Sequence, residues 1–243
     1  MKKVIGAVVS LFLMAGAAFA RGAYDGDIQL HLGVGFDSAK LEKSEEKYSG
    51  YVEKTTSEGA SATFDFDLAT WHLFNFNDVF GLGFVVGFNG GVGGTTKMRA
   101  SRAVNGTEVE SITFPSKDLS FAAHFNGIIG PAVGIKLGNV VKFDIGLGLA
   151  YGFSVFSYEN TTSDDYSVHT ATTAYLLGGV GFGAEVQAKF VPNSPVSPVI
   201  GYRFAYIPGK ECTRVSGGET TVYSCAVADY VSNEIYVGIT FNW

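Results

Sequence analysis

Cysteine is nearly absent from this chain: Cys212 and Cys225 are the two in 243 residues. That excludes both a densely disulfide-stapled scaffold and a multi-cysteine metal centre. The four histidines fall in different segments, at no metal-ligand spacing. Basic residues are outnumbered, 17 against 23 acidic, and nowhere clustered, which argues against nucleic acid as a partner. Beyond the N-terminal segment no apolar run reaches the roughly 18 residues that mark a membrane-spanning helix. A hydrophobic content of 47% with 32 glycines must therefore be arranged in another way.

The N-terminus has a secretory pattern. Lys2 and Lys3 precede an apolar stretch from Val4 to Met14, and small residues lead to "AFA" before Arg21. Residues 1–20 read as a signal peptide, removed on export, leaving one domain over 21–243. After export, Cys212 and Cys225 close a short polar loop, and oxidising compartments favour a disulfide between them. Loop entropy gives such a bridge about 3 kcal/mol.

What the mature chain has is period two. In "VKFDIGLGLAYGFSVF", Val141, Phe143, Ile145, Leu147, Leu149, Tyr151, Phe153 and Val155 alternate with Lys142, Asp144, glycines, Ala150 and Ser154. Strand spacing puts each set on its own face, whereas helical spacing scatters them. Eight such stretches recur, the first over 28–36 and the last being the chain's ending, "EIYVGITFNW". One face is almost purely Phe, Leu, Ile, Val and Tyr. The other is mostly glycine with isolated charges, which suits the crowded interior of a narrow barrel better than a water-facing sheet.

The connections alternate in length. Segments 37–58, 94–117, 157–168 and 209–229 are long and polar, and 73–78, 138–139 and 192–198 are short. The fold expected is all-β: an eight-stranded antiparallel up-and-down transmembrane β-barrel with short periplasmic turns and long extracellular loops. Pro131, inside the fourth stretch, predicts a bulge or break near "IIGPAV".

Alternation places Asp65, Asp67, Asp144, Glu185 and Glu234 in the lumen with Lys136, Lys142, Lys189 and Arg203, and His31 and His124 nearby. Five acids against four bases make a nearly neutral set, expected to pair internally because a buried charge needs a partner. A small barrel is filled by its own side chains, so a plug is favoured over a conducting pathway. Ser167 and His169 share a face near Asp164 and Asp165, a conceivable nucleophile set. Such a triad is recognised by geometry, and Ser- and Asp-rich loops are ordinary. The glycine patterns "GLGFVVG" and "GVGFGA" lack the following helix or lysine of a nucleotide site. No cofactor is implied.

In architecture, leader and terminal aromatic strand, the chain resembles the small outer-membrane β-barrel families: the membrane domain of outer membrane protein A, and outer membrane proteins X and W. Its glycine-spaced strands also look like spirochaete outer-membrane proteins. The resemblance implies a bacterial outer-membrane location, with membrane lipid and the outer-membrane assembly machinery as partners. It further implies that Ile239, Phe241 and Trp243 in the last strand carry the assembly signal. The function expected is a non-enzymatic anchor whose loops serve envelope integrity or meet host and extracellular ligands. A narrow solute channel of the outer membrane protein W type is the alternative, and a lipid-modifying enzyme is a more distant one.

Overall fold

The computed structural model describes residues 24–48, 51–114, 119–163, 168–209, 211–216, 221–224 and 228–243. The leader, Ser167, Cys225 and the side chains of Cys212 and His169 lie outside the described residues, and with them the disulfide and the conceivable nucleophile set.

The described chain is all strand and turn: β1 (Tyr24–Tyr48), β2 (Tyr51–Asn75), β3 (Phe80–Val104), β4 (Thr107–Thr113), β5 (Leu119–Leu137), β6 (Val141–Ser163), β7 (Val168–Phe190), β8 (Val196–Gly209), β9 (Glu211–Ser216), β10 (Thr221–Ser224) and β11 (Ala228–Asn242). Eight of these make the wall, in the order β1, β2, β3, β5, β6, β7, β8, β11, each antiparallel to its neighbours. The ring closes where β11 returns to β1, from Asp27 opposite Asn242 up to Lys40 opposite Asp229. Trp243 N–H donates to the Gly26 carbonyl at 3.0 Å, so the ladder is sealed to the last residue. Closure leaves the wall no free edge inside a bilayer, where an unpaired backbone group costs several kcal/mol.

Period two now separates lipid from lumen. Phe64, Leu149 and Val180 are 60%, 64% and 60% exposed, while Asp65 and Asp67, alternating with exposed Phe64 and Phe66, are completely buried. Among the described residues no helix is long and apolar enough to cross a membrane. The outward band of Phe, Leu, Ile and Val on strands supplies the crossing instead.

One expectation is corrected and another is met in part. Most of the residues expected as long loops continue as strand. The β1–β2 ladder runs to Tyr48 opposite Tyr51, and β6 pairs β7 as far as Ser163 opposite Val168. Polar composition marked where the bilayer ends, and the hydrogen-bond ladder simply carries on into water. Above the membrane β3 exchanges its partner β5 for β4, through a turn at Asn105 and Gly106 with φ of 50° and 82°. An Asn-Gly pair is the strongest short hairpin signal, and it was present in the sequence.

Pro131 brings the expected break in one ladder, without a bulge. The β3–β5 register is continuous through it, and the β5–β6 register is the same on either side, with Gly130 and Pro131 left unpaired towards β6. The missing N–H falls where β5 has no β6 partner, and the backbones approach closely here. A Cβ on Gly130 would collide with the Leu147 carbonyl and the Gly148 Cα.

Candidate functional site

The lumen is the feature with chemistry, and buried polar and apolar side chains line it in layers. Near the periplasmic end Lys142 Nζ lies 2.7 Å from Asp25 Oδ2 and 3.4 Å from Asp144 Oδ1, and Gln187 donates to Asp144 at 3.1 Å. Lys189 bonds Asp27 and, at 3.1 Å, Asn242. Gln29 donates to the same Asp27 carboxylate at 3.0 Å and meets His31 at 2.9 Å. Trp71, Leu73, Val85 and Ala132 form an apolar cluster within the barrel.

Another group is built around Arg203. Strand register sets Arg203 of β8 opposite Glu185 of β7 and Glu234 of β11, so the three share the inner face. The guanidinium donates to both Glu185 oxygens at 3.2 Å and to Glu234 Oε2 at 3.3 Å, and its Nη1 lies 3.4 Å from Asp67 Oδ1 on β2. Tyr236 donates to Glu185 at 2.7 Å, its ring lies beneath the guanidinium at 5.6 Å, and His31 stacks on that ring at 4.2 Å. A planar fork with five donors is the side chain suited to several carboxylates at once.

Towards the extracellular end His124 of β5 takes over. Its Nδ1 is 2.8 Å from Asp37 Oδ2 on β1, and its Nε2 is 3.6 Å from Asp65 Oδ2 on β2. Tyr230 and Ser61 also donate to Asp37, at 3.1 and 3.3 Å. Above this layer Met98, Phe156, Tyr158, Tyr175, Leu177, Ile207 and Tyr230 form an apolar cap, with Phe114 packed against it. The Phe114 and Tyr158 rings are 4.5 Å apart.

Of the residues expected in the lumen, Asp65, Asp67, Lys142, Asp144, Glu185, Lys189, Arg203 and Glu234 are buried there. Lys136 is not among them: half-buried at the periplasmic rim, it donates to Asn193 at 3.1 Å. Near-neutrality is also corrected. Seven carboxylates (Asp27, Asp37, Asp65, Asp67, Asp144, Glu185, Glu234) are buried with three permanent cations, Lys142, Lys189 and Arg203. Sequence reading ended the first strand at Phe36 and began it at Ile28, so it missed Asp27 and Asp37. Continuing the same alternation by one step at each end finds both. Ile239 and Phe241 stand on the outer face of β11, and Trp243, one residue beyond it, is exposed as well. Among the described residues no three His, Cys, Asp or Glu side chains converge as metal ligands.

No protein-family model and no curated protein matches the chain. Solved structures similar to it include the attachment invasion locus protein Ail of Yersinia pestis, at 12% identity, covering 90% of this chain and 99% of that one, TM-score 0.40. The outer membrane protease OmpT from Escherichia coli matches at 9% identity over 90% and 96% of the two chains, TM-score 0.42. A major outer membrane protein from Thermus thermophilus matches at 13% over 87% and 99%, TM-score 0.43. At such scores the fold assignment rests on the chain's own closure, outward apolar band and polar core. Those define an integral β-barrel of the bacterial outer-membrane type.

Proposed function

We propose that the protein is a non-conducting, non-enzymatic outer-membrane anchor whose extracellular hairpins do its work, in envelope stabilisation or contact with host and extracellular surfaces. The observation that carries this reading is the layered filling of the lumen. Arg203 and its three carboxylates span it, and the cap of Phe156, Tyr158, Tyr175 and Met98 lies across the extracellular side. A conducting pore needs a continuous wet path, and a ring of one charge sign along it would favour ion selectivity. Here Lys142, Lys189 and Arg203 each lie within ion-pair distance of buried carboxylates at different heights of the lumen.

The extracellular part supports a presenting role. The β1–β2 and β3–β4 hairpins are stitched side by side, with Asn105 N–H donating to the Val52 carbonyl at 2.8 Å and Val52 N–H to Asn105 Oδ1 at 2.9 Å. Binding surfaces commonly sit on connections held by a rigid scaffold. Membrane lipid around the apolar band, and assembly machinery reading Ile239, Phe241 and Trp243, are the partners that belong to this reading. Planar-bilayer recordings of the purified full chain test it. No discrete conductance steps are expected, and reproducible single-channel openings would replace the anchor with the narrow channel.

A further inference from the structure

Where the apolar band ends on the extracellular side, a groove of about 420 Å³ crosses the outside of the wall over β3, β2, β1, β11 and β8. Register explains what lines it. Lys40 on β1 is opposite both Glu58 on β2 and Asp229 on β11, and Lys97 on β3 is opposite Ala60. Directly paired residues of neighbouring strands share a face, so two ammonium groups and two carboxylates point outward together; Arg99 on β3, opposite Glu58, is held by Glu108 at 2.6 Å. Lys40, Glu58 and Lys97 are exposed, and Asp229 accepts a hydrogen bond from the Tyr206 hydroxyl at 3.4 Å. Ser38 and Ala60 are short, which leaves the concavity between the longer side chains. Just below, on the membrane side, Phe36 and Phe64 are 52% and 60% exposed.

This charge set is selective. Lysines alone at an interface attract any anionic lipid, but here each new negative charge also meets Glu58 and Asp229. A headgroup with both a phosphodiester and a primary amine satisfies all four groups at once. The geometry points to a binding site for a zwitterionic aminophospholipid: its phosphodiester sits between Lys40 and Lys97, its amine turns to Glu58 and Asp229, and its acyl chains lie along Phe36 and Phe64. The two carboxylates act as the specificity determinants, because they penalise a headgroup that is only anionic.

The test is native mass spectrometry of the full chain in detergent, with phosphatidylethanolamine and phosphatidylglycerol supplied in equal amounts. The wild-type barrel is expected to retain several-fold more phosphatidylethanolamine. Lys40→Gln with Lys97→Gln lowers retention of both lipids several-fold, whereas Glu58→Gln with Asp229→Asn inverts the preference towards phosphatidylglycerol. Equal or greater retention of phosphatidylglycerol by the wild type overturns the site without reference to any variant. So does an unchanged preference in Glu58→Gln with Asp229→Asn, or unchanged retention in Lys40→Gln with Lys97→Gln, where unboiled gel migration shows an intact barrel.

Discussion

Arg203 reaches across the lumen to Asp67, Nη1 to Oδ1 at 3.4 Å, from β8 to a strand that is not its neighbour in the wall. The same guanidinium holds Glu185 and Glu234 on the strands either side of it. One side chain thus ties β2 to the seam formed by β7, β8 and β11. Removing it strands three buried carboxylates, and breaking a buried ion pair in this one-sided way costs about 3–5 kcal/mol. Arg203→Met is expected to lower the temperature at which the barrel loses its faster unboiled gel migration. Arg203→Lys, which keeps the charge and loses the fork, falls between that variant and the wild type. Unchanged transitions would remove Arg203 as the organising group.

His124 bonds Asp37 on β1 and faces Asp65 on β2 from its place on β5, beneath the aromatic cap. His124→Phe keeps an aromatic ring, somewhat larger than imidazole, and removes both ring nitrogens. A buried acceptor deprived of its donor costs about 1–3 kcal/mol. Amide exchange should quicken in β1 and β5 around these residues and stay unchanged in β7. Uniform exchange rates across the barrel would place the coupling elsewhere.

Outside the membrane, Arg102 holds Glu53 with a bidentate pair, Nε to Oε1 at 2.6 Å and Nη2 to Oε2 at 3.0 Å. The hydrogen bonds from Arg102 keep the Glu53 carboxyl below the ordinary glutamate range. A depressed carboxyl contributes to stability above the ordinary glutamate pKa, and that contribution is lost as pH falls through the lowered value. Carbon-13 titration of Glu53 should show a midpoint below that of a free glutamate, returning to it in Arg102→Gln. Identical midpoints in the two proteins would show that the pair is not formed in solution.

Among the described residues Asn105, Gly106, Gly138 and Val191 have left-handed backbone. Val191 has φ of 51° although it is β-branched, and its N–H donates to the Val140 carbonyl at 2.8 Å. An L-residue held in this region costs about 1–2 kcal/mol relative to glycine. Val191→Gly should therefore stabilise the barrel by about 1 kcal/mol after the entropy of the unfolded glycine is subtracted. Gly106→Val, at φ of 82°, acts in the opposite direction and should expose the β3–β4 hairpin to proteolysis while the wall stays intact. Thermal melting and limited proteolysis measure the two effects.

The order of residues along each strand was enough to determine which face meets lipid. Period two is a property of the extended backbone, so Phe64 against Asp65, or Ile235 against Glu234, is decided before any strand finds a partner. It was also enough to place Glu185, Arg203 and Glu234 on inner faces. Composition misjudged strand length, because Thr, Ser and Glu above the bilayer were mistaken for loop, and so Asp37 and the Asn105–Gly106 hairpin turn were overlooked. Only closure of the barrel decided which luminal groups meet. Register sets Arg203 between Glu185 and Glu234, but its contact with Asp67 depends on the diameter of the ring. The joining of His124 on β5 to Asp37 on β1 is likewise a consequence of curvature, since those strands are never adjacent in the wall. The outer groove has the same origin: Lys40 acquires Asp229 as a neighbour only because the last strand comes back to pair with the first.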